Sequence, residues 1–143
     1  MVIPLFRNIL VFLVVFLGGV SLFGQNMDVG YPFLKNFTYK EYKAGRQSWM
    51  ISQSPNEVVY FANNEGLLEF DGGNWKLHSI KGWTTVRSVF ADTDGRIYVG
   101  CNNNLGYFQE DSIGKLQFNS LLDIFENKPE ADSEIWKIHK TDE

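Results

Sequence analysis

A chain of 143 residues, 44% hydrophobic, 15% aromatic and 21% charged, has a globular composition, and this excludes disorder for its body. The length sets an expectation of one domain at most. The formal net charge is −4 and no stripe of Lys and Arg occurs, so the electrostatic footprint of a nucleic-acid-binding segment is missing.

Residues 1–25 read as a targeting segment. Arg7 supplies a positive charge, Ile9–Val20 is an uncharged apolar run, and Ser21, Gly24 and Gln25 offer small or polar residues at its exit. The run is a signal peptide or an uncleaved anchor, although it is short for a membrane span. On either reading Gln25 onward is exported, with the periplasm as the expected location. Residues 26–46 form a lead-in rich in aromatics: Tyr31, Phe33, Phe37, Tyr39 and Tyr42. It is either a closing strand for a distant sheet or a plain extended approach.

From Gln47 onward the chain alternates short β-type runs with turn residues. Gln47–Gln53 alternates, with Trp49 and Ile51 assigned to one face and Ser48, Met50 and Ser52 to the other. Val58–Ala62 is β-branched and aromatic throughout, as in a strand covered on both faces. Leu67–Phe70 and Trp75–Ile80 come next, separated by Asn63–Gly66 and Asp71–Asn74, whose Gly and Asn residues suit positive φ. Residues 47–80 are thus four short antiparallel strands. The pattern recurs over residues 86–118: Ile51 matches Val89 and Tyr60 matches Tyr98, both 38 residues on. Gly66 is matched to Gly106, which implies a loop two residues longer in the second copy. Ser120–Glu126 has helical spacing and suggests a short helix. Trp136-Lys137-Ile138 repeats Trp49-Met50-Ile51 and opens a third unit over residues 134–143.

A period near 40 with four strands per unit is the signature of a β-propeller. The fold class expected is therefore all-β: a partial propeller of two four-stranded antiparallel blades and the first strand of a third, behind the N-terminal segment. Repeat arrays need about three or more units for stability, so the natural folding unit is expected to be longer. Trp49, Trp75 and Trp136 recur at repeat positions and are assigned to the core between blades.

The search for catalytic chemistry returns no motif. Neither His78 nor His139 lies in a recognisable nucleophile–base arrangement. Cys101, the one cysteine, rules out an internal disulfide and reads as an inert small residue. With no Cys/His cluster and no glycine-rich phosphate loop, no metal and no cofactor is expected. Asp92-Thr93-Asp94-Gly95 is similar to the start of a calcium loop. However, Arg96 stands where a third oxygen ligand belongs and Asn103 where the bidentate Glu belongs, so a hairpin turn is the better reading. For ligand binding the candidates are Trp83, in the link between the two units, and Arg87 just after it. Trp83 either stacks on a ring-shaped ligand or packs between blades, and Arg87 suits a carboxylate.

The stretch QSWMISQSPNEVVYFANNEGLLEF, continuing into Asp71-Gly72-Gly73-Asn74-Trp75, resembles the periplasmic sensor propellers of Bacteroidota, the two-component regulator propellers or ligand-binding sensor domains. Asp94-Gly95-Arg96-Ile97-Tyr98-Val99-Gly100 and Leu105-Gly106-Tyr107-Phe108 are similar to the next repeat. The resemblance runs from about Tyr31 to Glu143. It implies a sensor for an extracellular cue such as a carbohydrate, working in signal transduction and transcriptional regulation. The partners it implies are the remaining blades and a downstream membrane-anchored output domain, a histidine kinase or a LuxR-type helix-turn-helix. Neither output lies in this sequence. A truncated propeller lyase or glycosidase, and a non-catalytic docking propeller, stand as alternatives.

Overall fold

The computed structural model describes residues 30, 33–82, 85–125 and 133–141. Residues 1–25, expected to carry the targeting segment, lie outside them, as does Trp83. The chain divides into two compact units, 1–35 and 36–143. In the first, the side chains of Phe33 and Leu34 are exposed.

The second unit holds two four-stranded antiparallel sheets and very little helix. A single-turn helix α1 (Tyr39–Tyr42) precedes them, with the Glu41 carboxylate accepting from the Thr38 amide at 2.7 Å and its hydroxyl at 2.8 Å. The first sheet is β1 (Ser48–Gln53), β2 (Val59–Asn63), β3 (Gly66–Phe70) and β4 (Trp75–His78), in the order β1-β2-β3-β4. The second is β5 (Val86–Ala91), β6 (Ile97–Cys101), β7 (Leu105–Glu110) and β8 (Leu116–Ser120), in the matching order.

Local chemistry accounts for the turns. Asp71 Oδ1 accepts from the amides of Gly73 at 2.9 Å and Asn74 at 2.6 Å, closing the β3–β4 hairpin with an Asx turn. The β7–β8 turn repeats the device at Asp111, whose Oδ1 accepts from the amides of Ile113 at 3.0 Å and Lys115 at 2.9 Å, while in the β5–β6 turn Asp94 Oδ1 accepts from the Arg96 amide at 3.0 Å; Gly95 (φ +86°) and Gly114 (φ +76°) take the left-handed position.

Register makes the two sheets copies. Ile51 pairs with Phe61 and Val89 with Val99, Tyr60 with Glu69 and Tyr98 with Tyr107, all at a constant spacing of 38 residues. The spacing persists into the third strand, because Val59 pairs with Phe70 as Ile97 pairs with Phe108. Gly66 is therefore equivalent to Asn104, not Gly106, and the β6–β7 turn carries no insertion. A shared irregularity confirms the equivalence: the register shifts between Ser48 and Met50 in β1, and between Val86 and Ser88 in β5.

The extra residue of the bulge sets Ser48 apart from the rest of β1. From Trp49 on the expected alternation holds, with Trp49 and Ile51 exposed and Met50 and Ser52 partly buried. Met50 packs against the core, and the Ser52 hydroxyl accepts from the Ala91 amide of β5 at 2.9 Å. Ile51 is 59% exposed, whereas its equivalent Val89 is fully buried. The sheets pack through β1 and β2 against β5, and the core between them includes Tyr60, Ala62, Leu67, Val89, Val99 and Phe108.

The tryptophans also depart from expectation. Trp49 is 37% and Trp136 48% exposed, so neither is core. Trp49 lies at the bulge near the start of β1, and Trp136 lies outside any strand, just past the isolated bridge at Glu134. Trp75 packs on Phe37 and Tyr42 of the lead-in and stacks on Phe70 of its own sheet at 4.3 Å. Among the described residues of Ser120–Glu126, which end at Phe125, there is a 3₁₀ turn at Leu122–Ile124 rather than an α-helix. The start of the third unit has an extended approach: Glu134 bridges to Asn102, and the Ile135 amide donates to the Cys101 carbonyl at 3.2 Å.

Candidate functional site

The bulge places one residue of each unit at the same strand end. In β1 that residue is Trp49, and in β5 it is Arg87. The Arg87 guanidinium lies 4.4 Å from the centre of the Trp49 ring and 4.9 Å from that of Trp136, within cation–π range of both. The two indoles meet edge to face at 5.3 Å. Arg87 Nε and Nη2 donate to Glu134 Oε1 at 3.0 and 2.7 Å. Trp49 Nε1 donates to Asn64 Oδ1 at 2.8 Å, which fixes that ring. One cluster thus joins both sheets to the segment beyond them and leaves indole surface open to solvent.

Arg87 is the residue expected to bind a ligand's carboxylate, and its guanidinium here holds the chain's own Glu134. Trp83 lies outside the described residues. Trp49, Glu134 and Trp136 are members of this site that motif and composition do not reveal. The signal that identifies them is positional: Trp49 and Arg87 are register equivalents, and Trp136 repeats Trp49 in the third unit.

A second feature lies away from the β1–β5 contact. A cleft of about 750 Å³ opens between β4 and β8. Its apolar part includes Ile80, Phe108, Leu116 and Phe118, and Lys76, Lys81 and Lys115 contribute its cations. His78, nearly buried, lines it too, with Nε2 2.6 Å from Glu69 Oε2. Burial, reinforced by Glu69 and Glu110, pushes the Tyr60 phenol up to about 12.

A third hollow, about 330 Å³, lies among the β1–β2 and β5–β6 turns and includes Asp92, Asp94 and Glu110. Lys140 Nζ reaches Asp92 at 2.8 Å, and its hydrogen bond holds that carboxyl below the usual range. Among the described residues no group of three or more His, Cys, Asp or Glu could hold a metal ion. Cys101 is buried in the core, and that burial pushes its thiol up to about 12. Among the described residues no hydroxyl or thiol hydrogen-bonds His78.

No protein-family model, curated protein or solved structure shows a significant match to this chain.

Proposed function

We propose that this chain is the sensor side of an exported β-propeller, whose blades meet an extracellular cue and pass it to a membrane-anchored output domain elsewhere in the intact protein. One observation carries the reading. Two sheets repeat at a constant 38-residue spacing with the same bulge, and a third segment joins them through Trp49, Arg87 and Trp136. Four antiparallel strands per unit, meeting through their first strands, is how propeller blades are arranged about an axis. Partly exposed indoles beside a charged pair suit a ring-bearing ligand such as a carbohydrate, since aromatic surface stacks on rings and polar groups fix orientation. The expected location is the periplasm.

Two measurements test it. A phosphatase that is active only outside the cytoplasm, fused after Glu143, should be active in bacteria and lose activity when residues 1–25 are deleted. Titration of a panel of oligosaccharides should give saturable quenching of tryptophan fluorescence, abolished by Trp49→Ala together with Trp136→Ala. A silent fusion would overturn export. A panel without any response, or a response that survives loss of both indoles, would overturn ligand recognition at this face.

A further inference from the structure

The cleft between β4 and β8 differs from the rest of the surface in its charge. The chain carries a formal net charge of −4, yet three lysines and no carboxylate line this opening. None of Lys76, Lys81 and Lys115 is ion-paired among the described residues. The nearby Asp111 is committed to its own turn, where the amides of Ile113 and Lys115 and the Gln117 side chain hold it. Glu69 is taken by His78. Lys115 acts on Asp111 through space and Lys76 pairs in register with Glu69, but none of the three lysines is within ion-pair distance of a carboxylate among the described residues, while the partly exposed Phe118, Leu77 and Leu122 offer apolar surface beside them. A site built in this way recognises two things at once.

We infer that this cleft binds an organic anion in which a carboxylate or sulfate is attached to a hydrophobic ring. The ring lies against Phe118 and Leu122, which are partly exposed in the lining, and the anionic group faces Lys76 and Lys115. Gln117 and Ser120 are further hydrogen-bonding groups of the same lining. The Glu69–His78 contact holds the imidazole in one orientation at the cleft wall. The inference does not rest on the Trp49–Arg87–Trp136 cluster, none of whose residues lines this cleft.

Isothermal titration of the full chain with naphthalene-2-sulfonate, and with neutral 2-naphthol as its size match, tests the inference. The sulfonate should bind about ten-fold more tightly than the naphthol, since each exposed ion pair contributes modestly and two act together. The advantage should shrink as salt is raised. Lys76→Gln combined with Lys115→Gln should bring the sulfonate down to the naphthol's affinity, whereas Lys40→Gln, on α1, should change nothing. Circular dichroism of each variant confirms that it is folded. Equal affinity of the two probes, absence of sulfonate binding, or undiminished binding in the folded double variant would each overturn the inference. Trp49→Ala should leave this titration unchanged, so its result is separate from that of the carbohydrate panel.

Discussion

At the scale of single residues, Arg87 has much to lose. Its guanidinium makes two hydrogen bonds to Glu134 and faces two indoles, and both members of the ion pair are largely shielded from solvent. Shielding strengthens the pair, and it also makes an abandoned carboxylate costly. Arg87→Ala should therefore lower unfolding free energy by about 1–3 kcal/mol in urea titrations. Arg87→Lys should recover only part of that, because an ammonium lacks the planar fork. An alanine variant as stable as the parent would mean that the cluster is an ornament of the surface. The turn aspartates make a second case. Backbone amides at Asn74 hold Asp71 low, Lys140 holds Asp92 low, and the Lys115 amide does the same for Asp111. A carboxyl depressed in the folded state stabilises above its unfolded value, and that contribution is lost as pH falls through the folded one. Stability should thus be flat from about pH 7 to 5 and decline below about pH 4. Asp71→Asn and Asp111→Asn should each make the acid decline shallower in thermal melts, and an unchanged slope would refute the assignment.

At the scale of elements, the second sheet is prepared for the segment that comes after it. Gly100 shows this most directly. A Cβ there would stand 2.6 Å from Ile135 Cγ2 and 2.7 Å from the Ile135 carbonyl oxygen, with the Ser88 hydroxyl closer still. In the first sheet the equivalent residue is Ala62, which already carries that methyl group and is fully buried. Glycine at 100 is thus what lets residues 133–141 approach β5 and β6. Gly100→Ala should cost about 1–3 kcal/mol through overpacking. Amide exchange at Ile135, whose N–H bonds the Cys101 carbonyl, should lose protection before the sheet amides do. Equal protection in parent and variant would show that the segment does not depend on this contact. The glycines also explain where sequence and register part company. Gly66 is needed for its backbone, at φ +139° in a tight turn. Gly106 sits in mid-strand because the Phe118 ring carbons come within 2.5 and 2.6 Å of where a Cβ would be. A Cβ at either glycine would also run into a neighbouring strand's carbonyl oxygen, that of His78 or Asn119, so the two look alike in sequence, and matching them suggests an insertion that the register does not contain. The strands and hairpin turns are legible because Asp, Asn and Gly mark turns and β-branched runs fill the space between them. The bulge is not, since one extra residue leaves no compositional trace. Arg87 can be picked out, but its partners cannot, because Glu134 lies 47 residues away in sequence.

At the scale of the whole molecule, the two sheets differ in what covers them, and the difference has a consequence for solution behaviour. Val89 is fully buried because β1 and β2 pack on the face of β5 that it occupies. Ile51 has the same place in the register and is 59% exposed, so nothing among the described residues performs that service for β1. A repeat architecture buries each flank against a neighbour, and a bare flank with apolar residues invites association. The two positions therefore predict opposite outcomes for one substitution. Ile51→Lys adds a charge to an exposed position and should shift stability by no more than about 0.5 kcal/mol. It should also reduce concentration-dependent self-association in sedimentation velocity runs. Val89→Lys buries an unpaired ammonium in the contact between the sheets and should cost about 3 kcal/mol or more, enough to abolish a cooperative melt. If Ile51→Lys were as damaging as Val89→Lys, the first flank would already be covered within the chain. If it left self-association untouched, the surface responsible would lie elsewhere, with the exposed Ile113 and Phe33 next in line. The expected pair, mild at one position and destructive at the other, follows from a β1 position that is bare and a β5 position that the first sheet covers.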